Sequence, residues 1–499
     1  MSRKNGGIIG PANTPVGGLI TGVAGGVWRM NDLTNFVSNS QWPVTASPGE
    51  NSCRFNVSDS DSLSRTPTTA GNRKTFTLSV WCKKMSSSQM NFIGAGGVSD
   101  QNHISFENDR LQIRHYNGSS NDIIVNTSSV FRDESAWYHF VVAVDTTQST
   151  NSDRVKLYAN GSLQSLNDTT YPSQDYEWNF NDTEIQYIGR RQHSSAYHFD
   201  GYMAEFTWVD GQQLTPSSFG ETNSATGIWT AKDIGRQIAP IGTNGFYLNF
   251  KDSSNLGKDS SGLSNNFTVN NLTSIDQTTD ITSNNYATMN ALDNYYFSGT
   301  LTEGNLKVVS SASVESYLTN TMGVSKGKWY WEIKITSSGS NRDFVGIGDR
   351  VATASDFSPY SGNSNMISYY GYTGVSVAGS TGTSYGATFG TGDIIGVAMD
   401  LDNNKIYFSK NGTFQNSGDP TSGSTGTGAL AIPTSPADGV WYAQFANIHN
   451  TASTFQANFG NPSFSISSGN SDANGHGNFE YAVPSGYYAL NTSNLNTYG

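Results

Sequence analysis

Twice in this chain an alternating run of aromatic and β-branched residues stops at Asn-Gly. Val155-Lys156-Leu157-Tyr158-Ala159 leads into Asn160-Gly161, and Lys405-Ile406-Tyr407-Phe408-Ser409-Lys410 leads into Asn411-Gly412. A two-residue hairpin turn needs positive φ at both central positions, which Asn and Gly tolerate, so this pairing is the strongest short-range hairpin signal. Period-two alternation beside it fits strands with one buried face. Similar runs recur at Thr75-Phe76-Thr77-Leu78-Ser79-Val80-Trp81, at 137–145, at 201–208 before Asp210-Gly211, at 328–335 and at 393–400. Short strands bounded by turn residues predict β-sandwiches. Gly supplies 53 of the 499 residues and charged residues only 14%, which leaves few strong helix formers.

The length exceeds the roughly 100–200 residues of one domain. The expected fold class is all-β: two jelly-roll-like β-sandwich domains in tandem behind an extended N-terminal arm. The expected spans are 1–45 for the arm, 46–275 and 276–465 for the sandwiches, and 466–499 for a tail packing on the second sandwich. The arm is punctuated by Gly and Pro and cannot bury a core alone. It carries Ile8, Ile9, Leu19, Ile20, Val27 and Trp28, and a flexible segment with such anchors folds on something else. These six are the expected docking residues.

The net charge of −12 gives no electrostatic footprint for a phosphate backbone, so no nucleic-acid partner is expected. No segment approaches the ~20 apolar residues of a membrane span. Residues 6–15 hold no unbroken apolar stretch of a leader's length, which predicts synthesis in a cytoplasm without a cleaved leader. Abundant Ser, Thr and Asn with few charges predict a surface of neutral hydrogen-bonding groups, suited to sugars. Of the two cysteines, Cys82 sits in an apolar run and is expected as a buried thiol.

The first block resembles a laminin-G-like (concanavalin A-like) sandwich. The resemblance rests on Thr77-Leu78-Ser79-Val80-Trp81, Trp137-Tyr138-His139-Phe140-Val141, Ile188-Gly189-Arg190 and, above all, Gly201-Tyr202-Met203-Ala204-Glu205. Residues 246–267 resemble the strand and Asp-Ser-Ser-Gly turn that open such domains, and here are expected to complete the same sandwich. The second block is similar to the SPRY family through Gly327-Lys328-Trp329-Tyr330-Trp331-Glu332, Val345-Gly346-Ile347-Gly348, Gly392-Asp393-Ile394-Ile395-Gly396-Val397 and Lys410-Asn411-Gly412. SPRY domains are recognition modules. The whole arrangement, with Ile-Gly-Pro-Ala-Asn-Thr-Pro at 9–15 and Gly-Val-Trp at 26–28, resembles virion proteins of tailed phages of marine bacteria.

That resemblance implies a protein of the virion surface or tail, made in the bacterial host cytoplasm. Its arm docks on other virion proteins, and its sandwiches recognise a bacterial surface glycan or protein. A fibre-like role implies a homo-oligomer, with a trimer as one candidate. Two other readings stay open: a capsid decoration or tail scaffold binding only other virion proteins, and a glycan depolymerase.

The depolymerase reading needs paired carboxylates. Glu107 and Asp109 give only E-x-D, and Glu332 stands alone, so no catalytic residue is assigned and a non-enzyme is expected. No cofactor is expected. Laminin-G-like folds carry Ca²⁺ in some members; Asp145, Asp153, Asp175 and Asp200 are rim carboxylates that an ion could draw on, but no motif supports one. Asp400-x-Asp402-x-Asn404 begins like a calcium loop, yet its sixth position is Lys405 rather than Gly. Loops that mix aromatics with polar groups on a rigid scaffold are recognition candidates. They nominate Tyr171, Asp175 and Trp178, then His193 and Tyr197, then Tyr360, Asn363, Tyr370 and Tyr372.

Overall fold

The computed structural model describes residues 49–192, 197–223, 227–232, 241–293, 299–311, 315–350, 366–379, 381–448 and 451–499. The expected docking residues Ile8, Ile9, Leu19, Ile20, Val27 and Trp28 lie outside them. Strands dominate, and the α-helices among the described residues are the short Asn151–Arg154 and Thr492–Tyr498. Among the described residues no helix is long and apolar enough to cross a membrane.

The first sandwich has two sheets of eight strands. The back sheet runs Ser162–Leu163, Val155–Ala159, Tyr138–Asp145, Thr75–Lys84, Gly201–Asp210, Ser52–Phe55 and Gln277–Thr278, with Phe246–Leu248 as the eighth strand beside Gly201–Asp210. The front sheet runs Leu166–Thr170, Asn121–Thr127, Arg110–Tyr116, Asp100–Glu107, Met90–Gly97, Gln186–Ile188, Ser62–Arg65 and Thr268–Asn270. The inward-facing residues of both sheets meet in one core. Phe76 stacks on Trp208 there at 4.8 Å. Burying each such ring stabilises the fold by about 1.5–3 kcal/mol. The hairpin signal holds in geometry: Asn160 and Gly161 have φ of 46° and 80°, and Asn411 and Gly412 have 49° and 80°.

The Gly-Tyr-Met-Ala-Glu segment gains its character from a bulge. The register against Thr75–Lys84 shifts between Ala204 and Thr207, and Glu205 takes a φ of 50°. Its buried carboxylate accepts a hydrogen bond from Tyr247 Oη at 2.6 Å. Tyr247 lies in Phe246–Leu248, which pairs with Gly201–Asp210, so the late segment does complete the first sandwich. Asp259 fastens the turn after it, accepting from the backbone N–H groups of Tyr247, Ser261 and Asn265 at 3.0, 2.9 and 2.8 Å.

The second sandwich pairs a nine-stranded sheet, centred on Lys328–Ser337 and Ile394–Asp400, with a six-stranded sheet centred on Asp343–Gly348 and Tyr442–Asn447. Trp329, Trp331 and Ile333 face the core. Alternation turns Tyr330 and Glu332 to the opposite face, where the C-terminal tail lies. Phe479, Tyr487 and Ala489 of the tail bury against Tyr330 and Tyr407. Glu332 accepts from Tyr330 Oη at 3.1 Å, Asn458 Nδ2 at 3.1 Å, and the backbone N–H groups of Glu480 and Tyr481 at 2.9 and 2.8 Å. The lone carboxylate of Trp-Tyr-Trp-Glu is therefore the pin that holds the tail.

The two cores are separate. The boundary expected between 275 and 276 falls inside the 3-10 turn Ser274–Asp276, and the strand just after it, Gln277–Thr278, still closes the back sheet of the first sandwich on Ser52–Phe55. Asp280 still belongs to the first sandwich: it meets Lys83 at 2.9 Å with both side chains fully buried. Lys83 also donates to Asn285 Oδ1 at 2.7 Å and Tyr286 O at 3.1 Å. Tyr202 Oη donates to Gly304 O at 3.1 Å. Polar bonds between otherwise separate cores join the sandwiches.

Candidate ligand-binding groove

Front-sheet strands put Ile104, Phe106, Leu111, Ile113, Ile123 and Val125 into the core. Their alternate positions face away from it. The register places His103, Arg114 and Ile124 in one row across three strands, and Ser105, Gln112 and Asn126 in the next. Of these, Gln112, Arg114, Ile124 and Asn126 border an open groove of about 410 Å³ together with Glu107, Asn108, Arg110, Asn121, Asn167 and Asp168. Two cations, Arg110 and Arg114, balance two carboxylates, Glu107 and Asp168, and five amide side chains complete its polar lining.

The floor is preorganised. Arg114 Nη1 donates to Glu107 Oε2 at 2.5 Å. Gln112 Nε2 donates to Glu107 Oε2 at 2.9 Å and to Ser105 Oγ at 3.0 Å. Arg114 Nε donates to His103 Nε2. Burial, then the Arg114 cation beside it, push the His103 imidazole well below its ordinary range, so the ring is neutral and can accept. Asn126 Oδ1 is buried and has no hydrogen-bond partner among the described residues. A buried acceptor left without a partner costs about 1–3 kcal/mol, a cost that a ligand hydroxyl would remove.

One end of this face is covered by residues 190–192 and by Tyr197. Gly94 admits it: a Cβ there would stand 3.1 Å from Arg190 O and 3.3 Å from Arg191 Cα. Arg191 Nε donates to Gln101 Oε1 at 2.7 Å. Its guanidinium lies 5.8 Å from the Tyr116 ring centroid and 5.7 Å from that of Tyr197. Asn91 Nδ2 holds Tyr197 O at 2.8 Å.

The residues nominated from sequence do not form one site. Tyr197 is 37% exposed on the covered end of this face. Trp178 corrects its nomination: it is fully buried, packed edge-on to Phe76 at 6.3 Å and stacked with Phe180 at 6.2 Å. A ring in the core cannot meet a ligand. Tyr370 is corrected likewise, being 4% exposed and stacked on Phe344 at 4.2 Å. Tyr171 is half-buried against the first core, and exposed Asp175 meets Lys74 at 3.3 Å. Tyr372 is 52% exposed, 5.0 Å from the Arg342 guanidinium. His193, Tyr360 and Asn363 lie outside the described residues. Sequence reasoning missed Gln112, Arg114 and Asn126. The signal was there: three adjacent strands whose outer positions carry Arg, Gln, Glu and Asn.

The rim carboxylates Asp145, Asp153 and Asp175 are already engaged. Asp145 accepts from Thr147 and Gln148, and Asp153 meets Lys156 at 3.2 Å. Asp200 is buried. Asp400 pairs with Lys328 at 2.9 Å, and Asp402 accepts from Gly327 N at 2.9 Å. Among the described residues no three His, Cys, Asp or Glu side chains stand where they could share a metal ion. Cys53 and Cys82 are buried free thiols.

Comparison with known proteins agrees with this division. Residues 58–218 match the concanavalin A-like lectin/glucanases superfamily, and residues 328–432 match the SPRY domain. The chain is 33% identical to Ran-binding protein 10 of Danio rerio over 130 residues, covering 24% of this chain and 21% of that protein. It is 35% identical to human Ran-binding protein 9 over 103 residues, 20% of this chain and 14% of that protein. It thus spans only about a fifth or less of those relatives' length. Among solved structures, the SPRY domain of human HERC1 is 18% identical, with a TM-score of 0.24, covering 30% of this chain and 87% of that one. A heptameric SAP-like pentraxin from Limulus polyphemus is 15% identical, with a TM-score of 0.24, covering 37% and 89%. By its two family matches the chain carries a concanavalin A-like β-sandwich followed by a SPRY β-sandwich.

Proposed function

We propose that this chain is a non-enzymatic binding protein whose first sandwich holds a neutral, hydroxyl-rich glycan in the front-sheet groove. The observation that carries this reading is the groove's floor: a fixed Arg114–Glu107–Gln112 network beside the unpartnered Asn126 Oδ1. Such a floor offers fixed donors and acceptors with no net charge, which suits hydroxyl groups. A glycosidase acid needs a carboxyl in apolar surroundings. Glu107 instead has a cation and an amide on one oxygen, an arrangement for holding rather than hydrolysing.

The finer part of the proposal is the setting: a phage virion, with residues 1–45 docking on other virion proteins and the sandwiches turned toward the host surface. Its support is the resemblance of the 9–15 and 26–28 segments together with the neutral, Ser/Thr/Asn-rich composition. The test is retention of the full chain on host cells and on purified host polysaccharide. Binding should fall at least about tenfold, or 1.4 kcal/mol, in Arg114→Ala. Equal retention of wild type and variant, or release of reducing ends from the polysaccharide, would refute the reading.

A further inference from the structure

A second cavity lies between the sandwiches, away from the groove. Its volume is about 360 Å³, and it is walled by residues 274–275 and 277–279 of the first sandwich and 460–462 and 464–466 of the second, with Asn51 and Asn478 at its margins. That volume falls within the roughly 300–1,000 Å³ of small-ligand sites, which favour the junctions of domains. No charged residue lines it.

The cavity is built rather than left over. Arg54 is fully buried, and its guanidinium donates to Ile275 O at 3.2 Å on one wall and to Pro462 O at 3.2 Å on the other. One side chain thereby fixes the separation of the walls. Asn461 is 4% exposed, lines the cavity, and its Nδ2 has no hydrogen-bond partner among the described residues. Leaving such a donor buried is costly unless something enters to accept from it. Ile275, Pro462 and Phe464 supply apolar faces, while Ser274, Thr279 and Ser465 supply hydroxyls. An apolar face beside uncharged donors and acceptors is the complement of a sugar ring, which has C–H faces and hydroxyl edges.

We infer that the inter-sandwich cavity is a second binding site, for an uncharged saccharide unit that accepts a hydrogen bond from Asn461 Nδ2 and touches both domains at once. A ligand held this way binds only when the sandwiches are docked, so it stabilises the junction by mass action.

The test uses the full chain and ligand-detected NMR with an immobilised-glycan panel in three arms: neutral oligosaccharides, sulfated or sialylated oligosaccharides, and uncharged peptides. Ser465 is exposed at the rim, so Ser465→Trp fills the mouth without entering the core. Asn461→Ala removes the free donor. Arg114→Ala disables the other groove. The inference expects a neutral oligosaccharide that still binds Arg114→Ala and loses about tenfold in affinity, 1.4 kcal/mol, when Ser465→Trp or Asn461→Ala is added to the Arg114→Ala parent. It is overturned if no neutral oligosaccharide binds Arg114→Ala, if Ser465→Trp binds like the parent, or if only the charged glycans or the peptides bind.

Discussion

Asp61 and Asp200 are carboxyls that titrate in the folded protein within a checkable pH range. Burial pushes both carboxyls up to about 7, and neighbouring carboxylates, Asp276 for Asp61 and Glu134 and Glu303 for Asp200, push the same way. In an unfolded chain a carboxyl titrates near 4. The folded protein therefore holds protons that the unfolded chain has released between about pH 4 and 7. Stability from these groups is present in full below the unfolded value and is lost as pH rises through about 7. The melting temperature of the wild type is expected to fall from about pH 4 to pH 7 and to level off above that. Asp200→Asn, which cannot ionise, should flatten that fall in a pH series of thermal melts. At this scale the sequence misled where neighbours were invisible. Trp178 and Tyr370 sit among Ser, Asn and Asp, as recognition aromatics do, yet the chain folds each ring into a core. Asn126 and Arg114 went unread because they lie on adjacent strands, Asn121–Thr127 and Arg110–Tyr116, and nothing local to either says that the sheet sets them side by side over one groove.

At the scale of elements, alternation and turn chemistry carried the reading well. The Asn-Gly turns, the Trp-Tyr-Trp-Glu strand and the returning Gly-Tyr-Met-Ala-Glu strand lie where they were expected. Glu332 was legible only as a carboxylate with no partner in the sequence; its partners come from 458 and from the tail at 480–481, far along the chain. Glu332→Ala would strand two backbone N–H groups and an amide in a buried place. It is expected to cost about 2–4 kcal/mol of second-domain stability, measured by denaturant unfolding, and to release the 466–499 segment to early proteolysis. Glu332→Gln keeps the size but turns one acceptor into a donor facing N–H groups, so a smaller loss in the same direction is expected.

At the scale of the molecule, two sandwiches with separate cores are joined by buried polar bonds, and no pattern in the sequence announced those. Arg54, in the first strand, reaches Asp276 at 3.4 Å and Glu303 at 3.5 Å besides the two cavity-wall carbonyls. Removing one partner of a buried charge cluster typically costs about 3–5 kcal/mol. Arg54→Ala should therefore uncouple the domains: calorimetry is expected to show one transition in the wild type splitting into two in the variant.

The front-sheet groove is the centre of the functional reading, and amide hydrogen exchange of the full chain with and without host-surface polysaccharide reaches it most directly. The groove reading requires added protection on Asp100–Glu107, Arg110–Tyr116 and Asn121–Thr127, lost in Arg114→Ala. Bound polysaccharide that leaves those three strands unchanged and protects only other segments would contradict it.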